Sequence, residues 1–426
     1  MIDMINMLSE NSQVSAWRVT EKAIRSYELF FVHKQLETVR ATDTVDTSVP
    51  VYVDHDGKRG DSTFSVYRSM SEADIAARID SAVRRARLVF NEPYELPAGG
   101  ELDVDLPSNM REEDARQLGC RIADAVFAAD QMAGGSINAC EIFLYQDTLH
   151  VRNSRGVDKT QRVCRVMIEA IPTFTTAQQS VELYEDYRFT DFDPAAVTAE
   201  ITARMREVRD RSRAIKPQTP MTVDVALRPM EIRELMCCLA EDADYANVYR
   251  HGNLHKIGDD LQAGGAGDKL TFSLVSVLPG CDKSARFDAD GCALRDTCIL
   301  DRGVAANYYG ASRYGQYLGI QEPSGDLPFC VSAEPGTLQR DVMNEAPYLE
   351  CVSMSGLQVD LYNDYIGGEI RLAYLHEGDM VTPVTGITMS ARLSEVLSSL
   401  RLSTRVVREG AYQGPDRLLM RGVQVL

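Results

Sequence analysis

The chain has 426 residues, enough for two or three domains with well-buried cores, and its 44% hydrophobic content is that of an ordinary soluble protein. A formal net charge of −18, with no dense Lys/Arg patch to offset it, excludes a nucleic-acid binder, because holding a phosphate backbone takes a basic surface that releases counterions. No window approaches the roughly 18 consecutive apolar residues of a spanning helix, and MIDMINMLSENSQ has no basic stretch leading into an apolar one, so no membrane role is expected and the cytoplasm is the expected compartment.

Val14–Ser26 mixes polar and apolar residues at helical spacing and predicts a helix; Tyr27–Arg40, YELFFVHKQLETVR, is a β-rich run. In VPVYVDHDGKRGDSTFSVYRS, Asp56–Gly57 predicts a hairpin turn between two alternating strands. Ser71 predicts a helix cap, because SEAD precedes a segment with Ile75, Ile79, Ala82, Val83 and Ala86 on one face. A helix, three antiparallel strands and a helix would make a compact α/β sandwich.

The Pro/Gly-rich Asn91–Pro107 predicts a linker or lid outside the core. Arg111–Met132 predicts an amphipathic helix, and Ala139–Arg152 with Gln161–Ala170 a strand pair around the turn Asn153–Gly156. Asp193–Ile215 predicts a charged helix with an apolar stripe at Val197, Ile201, Met205 and Val208, stopped by the two prolines of Lys216–Pro220. MTVDVALRPMEIRELMCC then predicts a strand, a turn at Pro229 and a helix. From Thr337 to Val384 period-two segments alternate with turns at Ser353–Gly356 and Asn363–Asp364, a Gly-Gly strand entry at Gly367–Gly368 and the hairpin IRLAYLHEGDMVTPV, before a helix at Ser390–Leu400. The expected class is α+β, with an N-terminal α/β domain at 1–110, a helix and hairpin region at 111–216, and a mixed, largely antiparallel β domain at 217–426.

Chemistry is harder to place. The ten cysteines are scattered without a C-x-x-C pair, and Cys292 and Cys298 lie six apart, so reduced thiols behaving as small hydrophobes are expected rather than zinc ligands or a disulfide framework. His251 and His255 have the i, i+4 spacing of a helical metal pair, but Gly252 and Asn253 interrupt the helix and no Glu follows His251. Cys237 or Cys351 with His376 would make a hydrolase pair, although nothing in the sequence brings them together. Ser353–Gly356 falls short of a nucleophile elbow. Asp288–Gly291 lacks the closing Glu of a calcium loop and predicts a solvated β-turn. No residue is assigned a catalytic, cofactor-binding or metal-binding role.

Four stretches nevertheless resemble one family. The Thr337–Val384 run, LHVRNSRGVDKTQRV, PMEIRELM and FDADGCALRDTCILDRGVAANYYGASRYGQYLG are together similar to the TldD/PmbA family, also called modulators of DNA gyrase, of peptide proteolysis and maturation. In its TldD branch the helix carries His-Glu-x-x-x-His, two imidazoles for a catalytic metal and a Glu as general base, and a C-terminal cysteine adds a ligand. Here Met230-Glu231-Ile232-Arg233-Glu234-Leu235 holds those places and Glu409–Leu426 has neither Cys nor His. The resemblance therefore implies the metal-free PmbA/TldE-like branch. Such a chain is a non-catalytic subunit that completes a substrate channel with a TldD-like metallopeptidase partner, zinc sitting in the partner and an extended, unfolded peptide binding by main-chain pairing. Ala311–Gly315 departs from the Asn-Ala-Arg-like sequence common there. The alternatives are a stand-alone homodimeric peptide-binding protein and an independent hydrolase with an unrecognised nucleophile.

Overall fold

The computed structural model describes residues 4–218, 220–339, 343 and 345–426. Its N-terminal half is built on one sheet of long strands. Ala16–Val32, Gln35–His55 and Lys58–Val66 form a meander, and Ala16–Val32 also pairs antiparallel with Gly135–Asn153, which pairs with Asp158–Thr175. The turns fit their residues. Asp56–Gly57 takes positive φ at both positions (51° and 71°), the two-residue hairpin geometry whose twist matches the strands. His33–Lys34 does the same at 45° and 67° without a glycine, which is why the sequence gives no warning that Tyr27–Arg40 folds back on itself.

The helix expected at Val14–Ser26 is the opening of the first long strand. Ala16, Trp17, Val19 and Thr20 are all buried, so the segment lacks the alternation of a half-exposed strand. The cause lies far away in the chain: Ala289 accepts a hydrogen bond from the Thr20 hydroxyl and Asp290 pairs with Arg18, covering this part of the sheet. Strands buried on both faces lose their period-two signal.

The predicted helix after Ser71 forms at Glu72–Ala86 with a reciprocal capping box between Ser71 and Asp74, and its five predicted apolar residues are buried. Helices Ala115–Ala128 and Pro194–Ser212 bury Leu118, Ile122, Val126, Ile201 and Met205 with Ile142, Val166 and Ile168 of the sheet. Asn91–Pro107 is not outside the fold: Leu96 and Leu106 are buried, and Glu101–Asp105 adds a parallel edge strand beside Asp158–Arg162.

From Met221 onward the sheets are separate from the first. Tyr348–Met354, Met221–Leu227, Leu418–Val425, Ile387–Arg392 and Tyr365–Glu377 pair in succession, and the last returns to the first, closing a barrel. Strand Ile387–Arg392 takes the start of the predicted Ser390–Leu400 helix, which begins at Leu393. A second sheet of short strands runs from Val304–Ala305 through Thr297–Asp301, Phe272–Leu274, Val331–Ala333 and Tyr412–Pro415 to Val406–Glu409. Helix Pro229–Asp242 sends Ile232, Leu235 and Met236 into the core shared by barrel and second sheet. The class is α+β, as the sequence predicts.

Candidate functional site

Strand Met221–Leu227 ends in three buried residues and launches helix Pro229–Asp242, where Pro229 occupies the first turn, a position that needs no amide donor. Arg228 at the N-cap does not cap with its side chain. Its guanidinium instead spans Glu207 of helix Pro194–Ser212 at 2.7 Å and Glu350 of strand Tyr348–Met354 at 3.0 Å. Arg417 reaches the same Glu350 oxygen at 2.7 Å, and Arg204 bonds Glu207 at 2.6 Å and lies 3.4 Å from Glu185. An alternating chain of carboxylates and guanidiniums thus joins the N-terminal half to the barrel.

Burial alone would raise the Glu350 carboxyl, but His376, Arg228 and Arg417 outweigh it and hold the group well below the usual range. Glu185 is pushed up to about 7 by burial, only partly countered by Arg204. His376 stacks on Tyr348 with ring centroids 4.3 Å apart, and its Nε2 lies 3.4 Å from Glu350.

The helix itself shows what its first turns can hold. Met230 is 61% exposed, Leu235 is fully buried in the core, and Glu231 between them is 7% exposed. Burial pushes the Glu231 carboxyl up to about 7, against its own backbone N–H and Arg228. The C-terminal strand runs beside the launching strand, Leu418 opposite Leu227 and Val425 opposite Met221, yet it offers Leu418, Leu419, Met420, Val423 and Val425 to the interior. A thioether facing solvent, a core leucine and an apolar tail do not make a zinc donor set. Among the described residues no three His, Cys, Asp or Glu side chains gather into one.

The other sequence candidates are dispersed. Helix Tyr245–Tyr249 stops before His251, whose φ is 58°, and His255 turns back to bond Asp242 at 2.9 Å, so the two imidazoles serve a loop. Cys351 faces the barrel core opposite Ala373, whereas Tyr348 is the residue opposite His376; burial drives the Cys351 thiol far up, and it also raises Cys237. Ser355 is held by Glu369 and Arg371 and has no histidine partner among the described residues. Asp288 corrects the sequence reading: it is 8% exposed, and its carboxylate accepts the backbone N–H groups of Asp290, Cys292 and Asp326. The β-turn forms with Ala289 exposed at its tip, but Asp288 anchors it from a buried position instead of lying in solvent.

The tyrosines at 308–317 lie in a stretch that carries the family resemblance, but no local pattern in the sequence shows what they hold. Arg313 of helix Ser312–Tyr317 lies 4.9, 5.6 and 5.6 Å from the ring centroids of Tyr94, Tyr314 and Tyr317. Tyr317 donates to Glu92 at 2.6 Å and Gln316 bonds Glu95 in both directions, fastening the Asn91–Pro107 segment to the C-terminal half. Nearby, Glu241, Asp244, Arg250, Tyr309 and Asp326 line an open polar cavity of about 320 Å³.

A family profile described as PmbA/TldA metallopeptidase C-terminal domain matches residues 220–426. No curated protein matches the chain. TldE from Thermococcus kodakarensis superposes with a TM-score of 0.80 at 14% identity, over 99% of each chain. A protein described as a candidate modulator of DNA gyrase from Thermotoga maritima gives 0.78 at 14% identity, over 100% of this chain and 99% of that one. A similarly described protein from Bacteroides thetaiotaomicron gives 0.80 at 14%, over 99% and 97%. At these identities the superpositions establish the fold.

Proposed function

As residues 220–426 make this chain a member of the PmbA/TldD family, we propose that it is the metal-free, TldE-like subunit of a two-subunit metallopeptidase that acts on unfolded peptides. One observation carries the reading: the two helix positions that would need imidazoles hold a solvent-facing Met230 and a core Leu235. Glu231, where a general base would stand, is buried, and neither Met230 nor Leu235 offers an imidazole beside it. The full-length likeness to a TldE is one of fold and agrees with that reading.

The role of the chain is then to supply wall and sheet edge while the partner supplies zinc. The five-strand ring of the barrel is closed, so main-chain pairing with a peptide would use open edges outside that ring, such as Gln358–Asp360 and Met380–Val384, whose strand partner among the described residues is Tyr365–Glu377 alone. Val406–Glu409 is the outer strand of the second sheet. Gln35–Asp46 is open too, because Lys58–Val66 pairs with its strand only from Thr47 onward. Elemental analysis of the purified chain tests the central point: well below one zinc per chain is expected, and a stoichiometric, chelator-sensitive metal would overturn the assignment.

A further inference from the structure

We propose that Cys281 and Cys330 form a reversible disulfide that fixes the segment 278–293 to the second sheet and so locks the contact between the two halves of the molecule. The sulfurs lie 3.3 Å apart across 49 residues of chain, both buried, in a small apolar nest with Leu278 and Ala411. Bond formation requires an approach of roughly 1 Å.

The two cysteines stand at mechanically different places. Cys330 is fixed: its carbonyl accepts Val275 N–H at 2.9 Å, and the neighbouring Phe329 carbonyl takes Arg233 from the central helix. Cys281 closes a turn onto Leu278, at the start of a strap that reaches across to the N-terminal half. Gly280 accepts Thr190 N–H at 3.1 Å, Gln161 bonds both Arg286 and Phe287, and Lys159 bonds Gly291 at 2.8 Å. Thr20 and Arg18 hold Ala289 and Asp290. Oxidation would therefore staple the strap at its root, where the closed loop is long and restrains the unfolded chain most.

Cys281 is the attacking sulfur. The Cys330 thiol hydrogen-bonds to it and the Lys283 N–H donates to it at 3.3 Å, which together hold its thiol below the ordinary range against burial. When the turn at 278–281 opens to solvent, the Cys281 thiolate attacks one sulfur of a low-molecular-weight disulfide and releases one thiolate. The Cys330 thiolate then attacks Cys281 in the mixed disulfide and expels the second. Two protons pass to solvent and two electrons end on the oxidant.

The test holds the full chain in glutathione buffers from reducing to oxidising, and separately refolds it from denaturant in the most oxidising one. Quenching by alkylation and peptide mass mapping follow. The expected result is a linked Cys281/Cys330 peptide with a melting temperature several degrees above the reduced protein, a difference absent in Cys281→Ser and in Cys330→Ser. Both cysteines alkylated as free thiols after native exchange and after refolding would overturn the proposal, with exposed Cys120 reporting that the oxidant was active. A linked peptide without a rise in melting temperature would overturn the lock.

Discussion

Glu350 is held ionised in a buried place where a lone carboxylate would take up a proton. Glu350→Gln keeps the shape and removes the charge that Arg228 and Arg417 share, so urea denaturation at pH 7 should record a loss of about 3–5 kcal/mol. A loss under about 1 kcal/mol would mean that the cluster is incidental. Because the folded value is depressed, its stabilising effect is present above the unfolded value of about 4.3 and fades as the pH falls below it. Glu231 has the opposite sign: its folded value is raised to about 7, so its contribution is present at low pH and lost as the pH rises through that value. Glu231→Gln should therefore be more stable than the parent at pH 8 and lose that advantage near pH 4.5. An equal offset at both pH values in parallel denaturation series would contradict the burial account.

At the scale of elements, local chemistry was legible and distant cover was not. The Ser71 cap could be read because it rests on residues three apart, and Ser71→Ala should lower stability by about 1 kcal/mol, seen as a shifted denaturation midpoint with unchanged slope. Gly60 could not be read in the same way. A Cβ there would stand 1.8 Å from the Ala86 carbonyl at the end of the capped helix, so Gly60→Ala should cost about 1–3 kcal/mol or more by prising helix from sheet. Neutral behaviour of that variant would show that the helix does not seat as described. The same divide explains the strand at Ala16–Val32: its second-face cover comes from Ala289 and Asp290, a relation that no local window contains. The candidate site divides likewise. Met230 and Leu235 were identifiable as non-ligands by residue type, but the chain of charges from Glu185 to Arg417 joins five separated segments and left no local pattern.

For the whole molecule, the proposed role gives this chain positioning rather than chemistry. Substitution of any single His or Cys should leave the activity of an assembled complex within a few-fold, whereas a residue doing chemistry would typically be worth at least about 10²-fold. A proline at Val359, which pairs with Ile366 where the barrel strands meet their extension, should impair assembly or substrate pairing instead by removing a ladder donor. The most direct measurement is reconstitution: this chain and a TldD-like subunit carrying His-Glu-x-x-x-His are assayed alone and mixed, on an unfolded peptide, with and without chelator. The account predicts no cleavage by this chain alone and chelator-sensitive cleavage that appears or rises sharply on mixing. Cleavage by this chain alone that survives the chelator, or a homodimer that ignores the added subunit and leaves its activity unchanged, would contradict it.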